Sequence, residues 1–346
     1  MKSSIEPIIF KDNKLLLLDQ RRLPIEENYI ECLTLENGHD AIKDMVVRGA
    51  PCIGFTALYS LVLWLQDNKN STIDDLSKAC NYLSSARPTA VNLKYEVDRM
   101  FSILKKTPPS DWTQISLKIA SETLEESHRI NTKMGSLAVK EIQERFSGRK
   151  VRALTHCNTG TLACGSLGTA LGAIELLQNE NLLEHVWASE TRPYLQGSRL
   201  TAYELLKNDI AHSIIVEGAV SHLMQNNLVD VIFVGADRIV ANGDTANKIG
   251  TSNLSILANY YGVPMFVLAP SSSFDMSMSA GDEIEIELRE EDEIKKYKNL
   301  QISPLKSSAY NPSFDITKGE LITGIINENG ISYAKDDHVN LKGLVQ

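Results

Sequence analysis

The sequence predicts an α/β protein: a Rossmann-like parallel sheet domain preceded by a smaller, mainly helical N-terminal domain with a β-hairpin. Three observations carry that prediction. From residue 151 onward, short runs rich in Val, Ile and Leu alternate with helical patterns, the order expected of a doubly wound parallel sheet. One run, Val231-Ile232-Phe233-Val234, is apolar at four consecutive positions, which marks a strand covered on both faces. Before residue 148 the periodicity is mostly helical, and the pattern changes at Ser147-Gly148-Arg149-Lys150. The domains expected are therefore 1–148 and 149–346.

In chain order, Ile8, Ile9 and Phe10 and then residues 15–18 are apolar pieces around Lys11-Asp12-Asn13-Lys14, a hairpin with a polar turn. A helical run over 41–47 breaks at Arg48-Gly49-Ala50-Pro51. Pro51 suits the first turn of a second helix reaching Leu65, where its missing N–H has no intrahelical partner to lose. Residues 73–83 form a third helix, ended before Ala86-Arg87-Pro88-Thr89, because a residue preceding proline is pushed out of helical geometry. Residues 95–104 and 112–146 are mostly helical. The strands expected next are 151–155, 185–188, 213–216, 231–234 and 264–268. The helices expected between and after them are 161–177, 200–207, 219–226, 249–262 and 318–327, the last capped by Asp315 or Thr317. Tyr310 and Phe314 are expected to pack that last segment onto the domain. Gly160, Gly165, Gly168 and Gly172 are expected to form a small-residue helix face against the sheet.

Composition bounds the function classes. The chain has 346 residues, 43% of them hydrophobic and 23% charged, an ordinary globular balance with room for two domains. A formal net charge of −9 argues against a nucleic-acid-binding surface. Neither a secretory leader nor a membrane-spanning run is legible, so a soluble cytosolic protein is expected. Cysteines stand at 32, 52, 80, 157 and 164 without a CxxC pair, which suggests neither a disulfide framework nor a zinc site, and no metal is expected.

The functional signal lies just beyond the strands. In turn these positions read His156-Cys157-Asn158, Glu190-Thr191-Arg192, Glu217 and Asp237-Arg238. Ligands of open α/β sheets bind outside the carboxyl ends of the strands, so this set predicts a small-molecule site. The stretch 231–251 concentrates it: Asp237 and Arg238 follow the buried run, and Asn247 and Lys248 precede a helix whose N-terminal amides favour an anion such as phosphate. A salt-bridged loop, with Asp237 paired to Arg238 or Lys248, accounts for the same residues equally well. Arg48, Gly49 and Ala50 likewise stand at a helix start, suited either to a phosphate or to a tight interhelix turn. Arg87 projects from its loop toward solvent or toward a ligand.

These segments carry a family resemblance. Arg48-Gly49-Ala50-Pro51, Thr155-His156-Cys157-Asn158-Thr159-Gly160, Glu190-Thr191-Arg192-Pro193-Tyr194-Leu195-Gln196-Gly197, the stretch 234–251 and residues 309–314 resemble the methylthioribose-1-phosphate isomerase family, in order and over nearly the whole chain. The wider family includes isomerases of 5-deoxyribose 1-phosphate and ribose 1,5-bisphosphate, and non-catalytic regulatory subunits of the translation-initiation exchange factor. The resemblance implies a homodimer, no redox cofactor, Asp237 as general acid/base and Cys157 as second catalytic residue. It implies substrate binding by Arg48, by the backbone of Gly49 and Ala50, and by Arg87, Gln196, Asn247 and Lys248.

The implied reaction moves hydrogen from C2 to C1 of an aldose 1-phosphate after ring opening, with S-methyl-5-thioribose 1-phosphate of methionine salvage as the substrate implied first. A buried Asp237 holding its proton would donate to the ring oxygen. Cys157 would serve as a base for an enediol-like route, or line a dry pocket that favours a direct hydride shift. The chain departs from the usual pattern at Cys52, Ser189, Cys164-Gly165-Ser166 and the tip Val216-Glu217-Gly218-Ala219-Val220. The altered tip keeps 5-deoxyribose 1-phosphate open as the alternative substrate.

Overall fold

A computed structural model describes residues 5–88, 90–335, 338–339 and 341–345. Its contacts divide into two compact units, Met1–Arg129 with Gly160–Gly168, and Ile130–Thr159 with Thr169–Gln346.

The first unit opens with an antiparallel sheet of β1 (Ile8–Lys11), β2 (Lys14–Leu18) and β3 (Tyr29–Cys32). Asp12 and Asn13, the residues that joined the two apolar pieces in the sequence, turn the hairpin with φ of 52° and 58°. Two consecutive positive φ values suit the right-handed twist of the flanking strands. Helices follow: α1 (Leu35–Lys43), α2 (Ala50–Asp67), α3 (Ile73–Ser84), α4 (Val91–Leu104) and α5 (Trp112–Arg145), the last contributing residues to both units. Thr72 and Asp75 close a capping box at the start of α3. Helix α2 is buried nearly all round, Leu58, Leu61 and Leu65 among its fully enclosed side chains.

The single helix expected over 161–177 is two helices. Short α6 (Thr161–Cys164) belongs to the first unit and ends at Gly165, whose φ of 74° is left-handed. A Cβ at Gly165 would lie 2.8 Å from the Phe55 ring of α2, so this glycine packs on a helix and not, as expected, on the sheet.

The second unit contains an eight-stranded sheet. Its elements run β4 (Val151–Thr155), α7 (Ala170–Asn179), β5 (Leu183–Ser189), α8 (Ala202–Lys207), β6 (His212–Ile215), α9 (Val220–Gln225) and β7 (Val231–Val234). An excursion through β8 (Arg238–Val240) and β9 (Thr245–Lys248) precedes α10 (Thr251–Tyr261) and β10 (Met265–Leu268). Then come β11 (Phe274–Asp275), α11 (Asp292–Lys295), β12 (Lys296–Tyr297), β13 (Leu300–Gln301), β14 (Phe314–Thr317), β15 (Gly324–Asn327), β16 (Gly330–Lys335) and β17 (His338–Val339). The large sheet is ordered β17-β16-β15-β10-β7-β4-β5-β6, parallel from β15 to β6.

Successive side chains of a strand face opposite ways, and the two cores show it. Val231 and Phe233 of β7 join Phe266 and Leu268 of β10 in one cluster, which also holds α7. Ile232 and Val234 join Met265 and Val267 in the other, with Leu254 of α10.

Residues 318–327 are not a helix. Gly324-Ile325-Ile326-Asn327 is fully buried and pairs in parallel with β10, so it carries the same both-faces-covered signature as β7. Gly330 accordingly opens β16 rather than ending a helix. Tyr310, expected to pack, is 77% exposed.

Asp230 ties the start of β4 to the loop before β7. Its carboxylate accepts from Arg152 Nε at 2.9 Å, the Arg152 amide at 2.8 Å and Arg149 Nη2 at 2.9 Å. These donors outweigh its burial and hold the group down at about 2, below its unfolded 3.8. A carboxyl depressed on folding contributes stability above its unfolded value and loses it as pH falls from about 4 to about 2. Asp230→Asn is therefore expected to cost about 1–2 kcal/mol at neutral pH, discounted for solvent around the ion pairs, and to flatten that acid limb in urea midpoints measured against pH.

Candidate active site

The chain lays down β4, β5 and β6 outward in one direction and then crosses to place β7, β10 and β15 on the other side of β4. The order reverses between β4 and β7, where Thr155 faces Phe233 in register and donates to its carbonyl at 2.9 Å. Open α/β sheets bind ligands at this kind of switch point. Cys157 stands two residues beyond β4, and Asp237 three beyond β7.

Cys157 is buried, and its backbone is left-handed with φ of 64°. Its amide donates to Thr191 Oγ1 at 2.9 Å, and its carbonyl accepts from Thr201 Oγ1 at 2.6 Å. Next to it, the Asn158 amide donates to the fully buried Glu204 at 2.7 Å. His156 is enclosed: Nε2 faces the Ile249 carbonyl at 2.8 Å and Nδ1 faces Ser189 Oγ at 2.6 Å. Because a carbonyl can only accept, Nε2 carries the proton and Nδ1 accepts from Ser189. Burial pushes this imidazole down to about 4, so at neutral pH it is an uncharged strut between the end of β5 and the link from β9 to α10.

The turn after β5 holds Gln196. Thr191 and Leu195 are both left-handed, and the Leu195 amide returns to the Thr191 carbonyl at 2.8 Å. A Cβ on Gly197 would lie 1.6 Å from the Ser189 carbonyl oxygen, so only glycine lets the chain pass there. Gln196 is 6% exposed, and its Oε1 has no hydrogen-bond partner among the described residues. A buried acceptor left unsatisfied is costly and suits a ligand donor. At the Thr191 amide, Glu217 accepts at 2.6 Å; burial, with the charge of Glu190 adding, holds the Glu217 carboxyl above its usual range.

Asn247 and Lys248 end β9, paired with β14, and stand just before α10, as expected of residues near a helix start. Two of the amides at the start of α10 are already occupied. Asp315 accepts from Gly250 N at 2.7 Å and Ser252 N at 3.1 Å, so the anion at this helix start is the chain's own carboxylate. Asn247 is buried and donates to Thr251 Oγ1 at 3.1 Å. Lys248 donates to the Ser313 carbonyl at 2.8 Å and sits 4.2 Å from the centre of the Phe314 ring. The Arg238 guanidinium pairs with Asp275 at 3.3 Å. Asp237 is exposed rather than buried, so the desolvation expected for it is not supplied by the packing of this unit.

The remaining expected residues belong to the first unit. Gly49 is the N-cap of α2 with φ of 89°, and a Cβ there would lie 2.4 Å from the Ala163 carbonyl oxygen. Arg48, Ala50 and Arg87 are half-buried beside their helix ends.

Sequence reasoning missed Thr191 and Asp315 as organisers of the site. Both act through hydrogen bonds to residues more than 30 positions away, and no local periodicity signals such partners.

The sequence profile of the initiation factor 2 subunit family matches residues 46–334. The chain belongs to that family. Among its relatives is a methylthioribose-1-phosphate isomerase of Caldicellulosiruptor saccharolyticus, 43% identical over 94% of this chain and 95% of the relative. The structure of 5-methylthioribose 1-phosphate isomerase from Pyrococcus horikoshii OT3 superposes with a TM-score of 0.90 at 35% identity, covering 96% of this chain and 93% of that one. A family member described as translation initiation factor eIF-2B, subunit delta, from A. fulgidus superposes with a TM-score of 0.86 at 36% identity, covering 95% and 96%.

Proposed function

We propose that the chain is an aldose–ketose isomerase converting S-methyl-5-thioribose 1-phosphate to S-methyl-5-thioribulose 1-phosphate in methionine salvage. The observation that carries this reading is the pair Cys157 and Asp237 at the ends of β4 and β7, on either side of the switch point of the sheet. Asp237 gives a proton to the ring oxygen as the C1–O bond breaks, and bound substrate excludes water from the exposed side chain. Hydrogen then passes from C2 to C1. On one route it moves as hydride while the C2 hydroxyl loses its proton to Cys157. On the other Cys157 removes the C2 proton, and the resulting enol is protonated at C1 as its C2 hydroxyl gives its proton back to the Asp237 carboxylate. Either way C2 becomes the ketone, C1 keeps its phosphate, and no external oxidant or reductant is consumed.

Arg48, the Gly49 and Ala50 amides, Arg87, Gln196, Asn247 and Lys248 bind the substrate. Gln196 is best prepared for that role, because its carbonyl oxygen is buried without a partner. A second reading, isomerisation of 5-deoxyribose 1-phosphate, is favoured by the unusual tip at 216–220, which stands beside the 190–197 turn through Glu217 and Thr191. The presence of both Cys157 and Asp237 weighs against a non-catalytic regulatory subunit. The working form is a cytoplasmic homodimer, consistent with large apolar side chains exposed at Leu288, Leu300, Leu305 and Tyr310.

Phosphorus NMR of the purified chain with each sugar phosphate tests the assignment. Faster conversion of the methylthio sugar is the expected outcome. Preference for the deoxy sugar would transfer the assignment to the second reading; absence of turnover with both would bring ribose 1,5-bisphosphate next, and the regulatory branch only after it.

A further inference from the structure

We propose that Glu217 is a positioning residue for Cys157, acting through Thr191; the inference rests on the isomerase reading for its catalytic consequence. Cys157 and Thr191 both have left-handed backbones, φ of 64° and 62°, and neither is glycine. For a β-branched residue such as Thr191 this conformation is a genuine outlier, and it persists only where neighbours over-determine it. The neighbours are specific. Glu217 begins the turn after β6, and its carboxylate accepts the Thr191 amide at 2.6 Å. Thr191 is fully buried; its hydroxyl donates to the Ser189 carbonyl at 3.1 Å and accepts the Cys157 amide at 2.9 Å. One hydrogen-bonded line therefore runs from the end of β6, across the end of β5, to the end of β4. The φ of Cys157 sets where its Sγ points, so a carboxylate that touches neither substrate nor thiol fixes the thiol's direction.

Glu217→Ala opens the line at its first link, and Thr191→Val at its second while keeping the side-chain shape. Each is expected to lower kcat about 10-fold or more with KM changed less than about 3-fold, the effect of one lost anchoring bond. Thr191→Ser restores the hydroxyl and is expected to restore most of kcat. A readout independent of turnover is modification of Cys157 by methyl methanethiosulfonate, located by mass spectrometry among the five cysteines. A buried thiol reacts through local opening, so both disruptive variants are expected to label Cys157 about 10-fold faster with the other four unchanged. Unchanged labelling overturns the proposal whatever kcat does, as does faster labelling with unaltered kcat in an active chain. If the native chain turns over neither sugar, the labelling still decides the clamp, so the two failures are distinguishable. Should Glu217→Ala not fold, hydrogen exchange of the native chain decides. The Thr191 and Cys157 amides are expected to exchange at least about 100-fold more slowly than that of exposed Gly218, and fast exchange at either overturns the clamp.

Discussion

Asp237→Asn is expected to lower kcat by about 10³-fold or more, because an amide of the same shape has no proton to give the ring oxygen. The side chain is exposed just beyond β7, while the backbone is pinned by its own amide donating to the Ala246 carbonyl at 2.9 Å. The amide variant keeps that backbone bond and the side-chain shape, so it is expected to fold as the parent does. Loss of turnover with an unchanged melting temperature is the signature of a missing acid. Near-full activity would remove Asp237 from that role and leave the ring-opening proton to another donor.

Cys157→Ala is the second large effect, about 10²–10⁴-fold in kcat, the usual contribution of a positioned proton-transfer group. The cost to folding should be about 1 kcal/mol, since a small buried thiol is lost while the Thr191 and Thr201 bonds to the residue's backbone remain. Turnover of the parent chain in deuterated water then assigns the thiol's task. Deuterium at C1 of the product means that the C2 proton left through Cys157 and exchanged. Product without deuterium at C1 is the outcome expected when hydrogen moves as hydride and Cys157 takes the hydroxyl proton. A Cys157→Ala chain that kept most of its activity would contradict both tasks.

The parts of the molecule that were legible in the sequence share a physical property: their signal is local. The Asp12–Asn13 turn, the buried run of β7, the proline at the start of α2 and the polar residues after β4, β5 and β7 each announce themselves within a few positions. The misread parts are those where distant packing overrides a weak local pattern. Residues 324–327 form a strand because β10 offers a partner on one side and β16 on the other. The helix over 161–177 is interrupted where Gly165, packed against Phe55, takes a left-handed φ of 74°.

The sequence by itself determined the fold class and the polar groups that follow the strands, since strand runs and the groups after them are consecutive in the chain; the candidate roles of Cys157 and Asp237 came with the resemblance of whole motifs to a family. Only the tertiary structure decided how those groups are held. It gave the amides of α10 to Asp315, made His156 a neutral strut, and set Thr191 and Glu217 behind Cys157. Hydrogen bonds such as these join residues 26 to 93 positions apart, and their partners are chosen by strand order, which no local pattern encodes.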